Sequence, residues 1–123
     1  MNWTATGAIG LGLAVMLGAF GAHGLKDHLD AYSMGVYEKA VFYHFIHALG
    51  LLIVSILPRI GVITPSAGSW VCSLLLAGIM VFSGSLYLLA VTGVRTFGAI
   101  TPFGGVAFIA AWLLLTCRLL RAK

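Results

Sequence analysis

The chain alternates between long runs without a formal charge and short clusters of polar residues. Residues 1–25, 40–58, 60–94 and 96–117 contain no Asp, Glu, Lys or Arg. Each run can supply the roughly 20 apolar residues that cross a hydrocarbon core of about 30 Å. No segment alternates with the period of two that a barrel strand requires, and backbone in lipid must satisfy its own N–H and C=O groups, so the spans are predicted to be helices. The pattern places them at about 3–23, 37–57, 68–90 and 102–120. Short connections make neighbouring helices antiparallel. The expected fold is an all-α integral membrane protein, an up-down bundle of four transmembrane helices in a single membrane domain over residues 1–123.

Local chemistry sharpens the boundaries. The octets GVITPSAG and GAITPFGG (residues 61–68 and 98–105) echo one another, each ahead of a span. In each, Thr64 or Thr101 can cap a helix while Pro65 or Pro102 takes the first helical position, where a missing N–H costs nothing. Between the first two spans, residues 25–39 hold five of the ten charged residues. Asp30 or Ser33 can begin a helix there that runs through Tyr37 into the second span. The segment is expected to lie at the membrane interface, with Leu29, Tyr32 and Met34 directed toward lipid. The first 24 residues lack the basic flank of a cleaved leader and are read as a retained span.

In lipid, apolar burial no longer drives helices together, so close packing and hydrogen bonds must do it. Thr6, Gly10, Ala14, Gly18 and Ala22 recur every four residues along one face of the first span. Ser69, Ser73, Ala77 and Ser85 repeat the device in the third, where Gly84 lies within the sequence SGS. Gly104 and Gly105 thin the start of the fourth. These faces are expected to pack helices, either within one chain or against another copy or a partner protein.

Composition agrees with the class: 61% of residues are hydrophobic and 8% charged, against roughly 25% charged in soluble domains. The net charge of +4 comes from Lys and Arg scattered singly, apart from Arg118, Arg121 and Lys123 beyond the last span. That cluster reads as an anchor facing anionic lipid heads, and binding of nucleic acid is not expected. Arg59, Arg118, Arg121 and Lys123 fall on the side of the termini. Lys26, Lys39 and Arg95 fall on the other, so the positive-inside rule favours both termini in the cytoplasm. Trp3 and Trp70 then mark the cytoplasmic interface. Cys72 and Cys117 stand inside apolar segments and are read as small buried hydrophobic residues.

The candidate chemistry lies in the second span. Ala40, Tyr43, His44, His47, Ala48 and Leu51 share one stripe of a helix. His47 lies about 12 Å along the axis from Lys39, and His44 about 7.5 Å. His23, Ser83, Ser85, Tyr87 and Thr101 are expected at similar depth, which gathers the polar side chains into one half of the membrane. Ionisable groups at such depth are candidates for function. Three readings compete: a metal or haem site, a proton path or pocket for a lipid or quinone head, and hydrogen-bonded histidines that join helices. The last is expected. His44 and His47 stand three apart with no acid at matching depth, and only His23 with His47 offers imidazoles facing each other from separate helices. No metal or other cofactor is expected, and no signature of a soluble enzyme is present.

Four stretches taken together carry a resemblance: LGAFGAHGL (17–25), YHFIHALGLL (43–52), FSGSLYLLAVTG (82–93) and ITPFGGVAFIAAW (100–112). The chain resembles the DUF423 (UPF0382) family of small bacterial membrane proteins, whose eukaryotic relatives are the transmembrane protein 256-like proteins. The resemblance implies a four-span protein of the bacterial inner membrane with no established activity. The family's motifs fall on Gly18, Gly21, His23, Tyr43, His47, Ser83, Gly84, Ser85, Tyr87, Pro102, Gly104 and Gly105. His44 departs from the pattern, in which glutamine commonly stands there, and this argues against an obligatory metal ligand. The resulting expectation is a non-enzymatic accessory protein in the lipid bilayer that associates with itself or with a larger membrane complex. The alternative is an oligomeric protein that binds or transports a lipid, quinone, small molecule or protons, and the more remote one a haem or metal subunit.

Overall fold

Four helices account for nearly all of the chain: α1 (Trp3–Leu25), α2 (Ala31–Ile56), α3 (Pro65–Thr92) and α4 (Thr96–Arg121). Each is long and apolar enough to cross a membrane. The computed structural model describes residues 1–122, and no strand occurs among them. Lys123, part of the predicted basic anchor, lies outside the described residues.

The helix starts follow side-chain capping. The Asn2 side chain accepts from the Ala5 N–H at 3.1 Å, and Asp30 accepts from the Ser33 N–H at 2.7 Å. Thr64 accepts from the Ala67 N–H at 3.2 Å with Pro65 in the first turn. Each bond satisfies one of the amides that a helix start leaves unpaired. Asp30 thus brings the start of α2 forward to Ala31, and the segment between the first two helices shrinks to residues 26–30.

The second TP motif behaves differently. α4 begins at Thr96, directly after the turn in which Gly93 ends α3 in the left-handed region (φ +70°), and Pro102 lies inside the helix. Thr101 therefore caps nothing. Its hydroxyl lies 2.6 Å from the Ser85 hydroxyl and 3.3 Å from the Phe97 carbonyl, and its one proton goes to one or the other. The Gly93 turn has already set the chain in helical register, so the later threonine and proline enter a helix that exists.

Two turns are wider than the α-helical repeat. Gly21–Leu25, at the end of α1, and Ile79–Ser83, within α3, are π-helical. Such turns are rare and frequently occur at functional positions.

α1 packs chiefly on α2, while α2, α3 and α4 share the core formed by Leu51, Val54, Val71, Cys72, Leu75, Phe108 and Ala111. The small residues of α1 make the first contact possible. A Cβ at Gly7 would stand 2.9 Å from the Leu52 backbone, and one at Gly10 would stand 3.1 Å from the Ala48 methyl. Further along, Gly18 meets Val41 and Gly21 meets the Tyr37 ring. Gly104 likewise lets α4 approach the backbone of Phe82 in α3. At one end of the molecule, Ser55 donates to Thr4 (3.1 Å) and the Trp3 indole donates to Ser69 (3.1 Å), so Trp3 and Trp70 lie toward the same end.

Candidate functional site

His44 sits where three helices meet. It is 5% exposed, and its Nδ1 lies 3.0 Å from the Tyr87 hydroxyl of α3. The Gly10 carbonyl of α1 is its other polar neighbour. One proton arrangement satisfies all three groups: Tyr87 donates to Nδ1, and Nε2–H donates to Gly10. A neutral imidazole then supplies one acceptor and one donor and ties α1, α2 and α3 together. A glutamine amide offers the same pair of functions. Two turns earlier on α2, the Tyr37 hydroxyl donates to the Leu17 carbonyl at 2.5 Å, and its ring meets Tyr87 edge-on with centroids 5.3 Å apart.

His47 faces another environment. Its Nδ1–H donates to the Tyr43 carbonyl of its own helix at 2.8 Å. The ring stacks on Phe108 of α4, with centroids 3.5 Å apart and planes 13° from parallel. Tyr43, itself half-buried, packs its ring against Phe82 and over His47. Trp112 completes the aromatic wall and lies over Gly50, where a side chain would collide with the indole. This imidazole is held as a flat, polarisable packing piece.

Ser85 and Thr101 join α3 to α4 through their hydroxyls at 2.6 Å, and Ser85 also donates to the Phe82 carbonyl. Ser83 makes no such link. It is fully buried, and its hydroxyl has no hydrogen-bond partner among the described residues. A helical serine ordinarily bonds the carbonyl four residues earlier.

The structure thus brings His44 and Tyr87 together, and separately Tyr43 with His47, and Ser85 with Thr101. His23 stays apart: it is exposed in the terminal π turn of α1, so it does not oppose His47 and the expected pair of facing imidazoles is not formed. The wider turn and the end of the helix carry it out of the interface that Gly21 and Tyr37 still share. Ala22 is exposed for the same reason, so the small-residue ladder ends at Gly18. Ala14 is buried, Thr6 half-buried, and Gly105 lies near the Phe82 ring. Gly84 faces open space, so it does not bring helices together. Cys117 is exposed, and only Cys72 is the buried thiol expected. No group of three or more His, Cys, Asp or Glu able to hold a metal ion occurs among the described residues.

Between α1 and α3 a lateral crevice of about 250 Å³ opens, lined mainly by apolar side chains, with His44 and Tyr87 in its wall and Gly84 along its edge. The predicted depth asymmetry is incomplete, because the Ser55–Thr4 and Trp3–Ser69 bonds add polar joints near the other end. Tyr37 and Phe108 were also absent from the predicted cluster. Tyr37 was detectable: residues 37, 40, 44, 47, 51 and 54 repeat at alternating spacings of three and four, and all six are buried.

A family model described as "Protein of unknown function (DUF423)" matches residues 17–105. The chain belongs to the DUF423 family. The matched segment contains all eight predicted polar-site residues, from His23 to Thr101, and begins beyond Thr6, Gly10 and Ala14. Among similar DUF423 relatives, the UPF0382 membrane protein of Staphylococcus saprophyticus is 51% identical over 112 residues, covering 89% of this chain and 88% of that one. A UPF0382 membrane protein of Staphylococcus epidermidis is 48% identical over 115 residues, covering 94% and 92%. UPF0382 membrane protein YwdK of Bacillus subtilis is 48% identical over 111 residues, covering 89% and 88%. No solved structure matches the chain. It is a DUF423 membrane protein with four helices of spanning length.

Proposed function

We propose that this protein is a non-enzymatic accessory component of the bacterial inner membrane, acting through association with a second copy or a larger membrane complex. In this reading the four helices form one antiparallel up-down domain with both termini cytoplasmic, and residues 26–30 lie at the interface. The descending pairs Gly7–Leu52, Gly10–Ala48, Gly18–Val41 and Gly21–Tyr37 support the antiparallel arrangement of α1 and α2. The orientation rests on Arg59, Arg118 and Arg121 near the end that holds the termini.

The observation that carries the accessory role is that α1 packs chiefly against α2, with the Trp3–Ser69 bond to α3 at one end. The other side of α1 exposes Ala5, Ala8, Gly12, Val15 and Ala19, and a Cβ at Gly12 would meet nothing within 4 Å. Small side chains permit close helix approach in lipid. The pairing of His44, His47 and Ser85 within the molecule agrees with a structural use of the polar groups. Crosslinking in native membranes through an Ala8→Cys substitution on that exposed side, with Cys72 and Cys117 replaced, tests the association. A crosslinked species that a further Gly12→Leu substitution abolishes is expected. Monomer alone, in the Ala8→Cys protein with and without Gly12→Leu, removes the proposal.

The crevice between α1 and α3 favours a second reading, binding of a hydrophobic ligand such as a lipid or quinone. Its volume falls below the common range for whole drug-sized ligands and accommodates a chain or a single ring. A Cβ at Gly84 would meet nothing within 4 Å, so Gly84→Leu can enter the crevice. Loss of a co-purifying lipid or quinone in that variant supports ligand binding, whereas identical extracts from both proteins count against it.

A further inference from the structure

The end of the molecule that carries the C-terminal part of α4 contains a second cavity, of about 290 Å³. Its wall is formed by the loop Gly61, Val62, Ile63 and Thr64 and by Arg118, Arg121 and Ala122. Three observations on this cavity point to an anion.

Its charge is of one sign. Arg118 and Arg121 stand three apart on α4 and therefore share a face, where like charges repel. Among the described residues no Asp or Glu side chain lines the cavity to relieve them: the acidic side chains are Asp27, Asp30 and Glu38, and Asp30 lines a different cavity, with Arg95 and Gly98. The loop is also short of acceptors for its own donors. Gly61, which has φ +76°, and Val62 donate back to Pro58 and Leu57 at 3.2 and 3.0 Å. Among the described residues, the Ile63 and Thr64 amides make no hydrogen bond. Finally, the position is that of a membrane surface. Thr64 caps α3 and Arg121 ends α4, so the cavity sits where two spanning helices leave the hydrocarbon.

We infer that this cavity binds a phosphate oxyanion, supplied by the head group of an anionic phospholipid. Guanidinium groups pair with phosphate oxygens in a fork, through two N–H donors at once. Consecutive backbone amides in a turn form a concave surface suited to the same oxygens. The volume accommodates a head-group phosphate with its glycerol linkage.

The test uses the full chain in two arms. In the first, protein from nanodiscs of mixed phosphatidylglycerol and phosphatidylcholine is examined by native mass spectrometry for retained lipid. The wild type is expected to keep phosphatidylglycerol preferentially, with the preference falling roughly fivefold for each of Arg118→Gln and Arg121→Gln. In the second, inorganic phosphate is titrated into detergent-solubilised protein and followed by thermal shift. Phosphate-dependent stabilisation without a lipid preference, lost in the same variants, assigns the same chemistry to a soluble phosphate. Arg59→Gln is the control: Arg59 is on the same end but lines another cavity, beside Asn2 and Ser55. It is expected to leave both arms unchanged. Equal loss in Arg59→Gln, or arginine variants that match the wild type in both arms, overturns the site.

Discussion

His44 and Ser83 show how differently two buried polar side chains can be used. His44 joins three helices because an imidazole can donate from one nitrogen and accept at the other. His44→Gln keeps both functions, whereas His44→Leu leaves the Tyr87 hydroxyl without its His44 partner. Interhelical bonds in lipid average about 0.6 kcal/mol, and abandoned partners add their own desolvation cost. His44→Leu is therefore expected to lower the detergent melting temperature by several degrees more than His44→Gln, and a melting series measures the difference. Ser83 has no bond to lose, so Ser83→Ala should leave stability unchanged or raise it in the same series. Of the site itself, His44 and its stripe were legible from helical spacing, and so was the company of Tyr87. The partners of His47 were not. Its use depends on Phe108 from a distant helix, and no local spacing in either segment announces a stack.

At the level of the helix, charge-free length was enough to locate four spans, since lipid permits few other backbones. The ends were legible only where capping chemistry is unambiguous. Asp30 and Thr64 hold the predicted positions, while Thr101 and Pro102 repeat the same letters inside a helix already begun by the Gly93 turn. An identical motif reads differently because the preceding backbone differs. The two π turns had no sequence marker, and they explain why His23 and Ala22 left the predicted face.

Two tests belong at this scale. Gly7→Leu should separate α1 from α2 and unfold the protein at lower temperature, because its side chain would start 2.9 Å from the Leu52 backbone. Gly12→Leu, on the opposite side, should melt like the wild type as a monomer, and the pair compared in one detergent checks the packing. The start of α2 also responds to acid. Hydrogen bonds from the Ser33 backbone and hydroxyl hold the Asp30 carboxyl below its ordinary value. The stabilising contribution is therefore present above the ordinary aspartate range and disappears as pH falls through the lowered value. The protection of the Ser33 amide, its exchange rate compared with that of an unstructured amide at the same pH, should fall on acidification, and Asp30→Asn should keep the cap while removing that pH dependence.

For the whole molecule, a stretch of Leu, Ile and Val says that a helix is in lipid but not which neighbour it chooses. The attachment of α1 mainly to α2, leaving the crevice beside α3, came only from the assembled structure. The small-residue ladder indicated close contact, and its consumption inside the chain moves any association surface to the other side of the helix. Orientation is checked by placing a reporter active only in the cytoplasm at each terminus. Activity at both ends is expected, and silence at both would invert the protein.

One further consequence concerns the two thiols. Cys72 is sealed in the centre and only weakly held by the Leu51 carbonyl at 3.8 Å, while Cys117 stands on the outer surface of α4. The chain thus carries a built-in clock. A thiol reagent that modifies Cys117 at once can reach Cys72 only when the helices part, so the delay between the two modifications times the breathing of the core without any added label site.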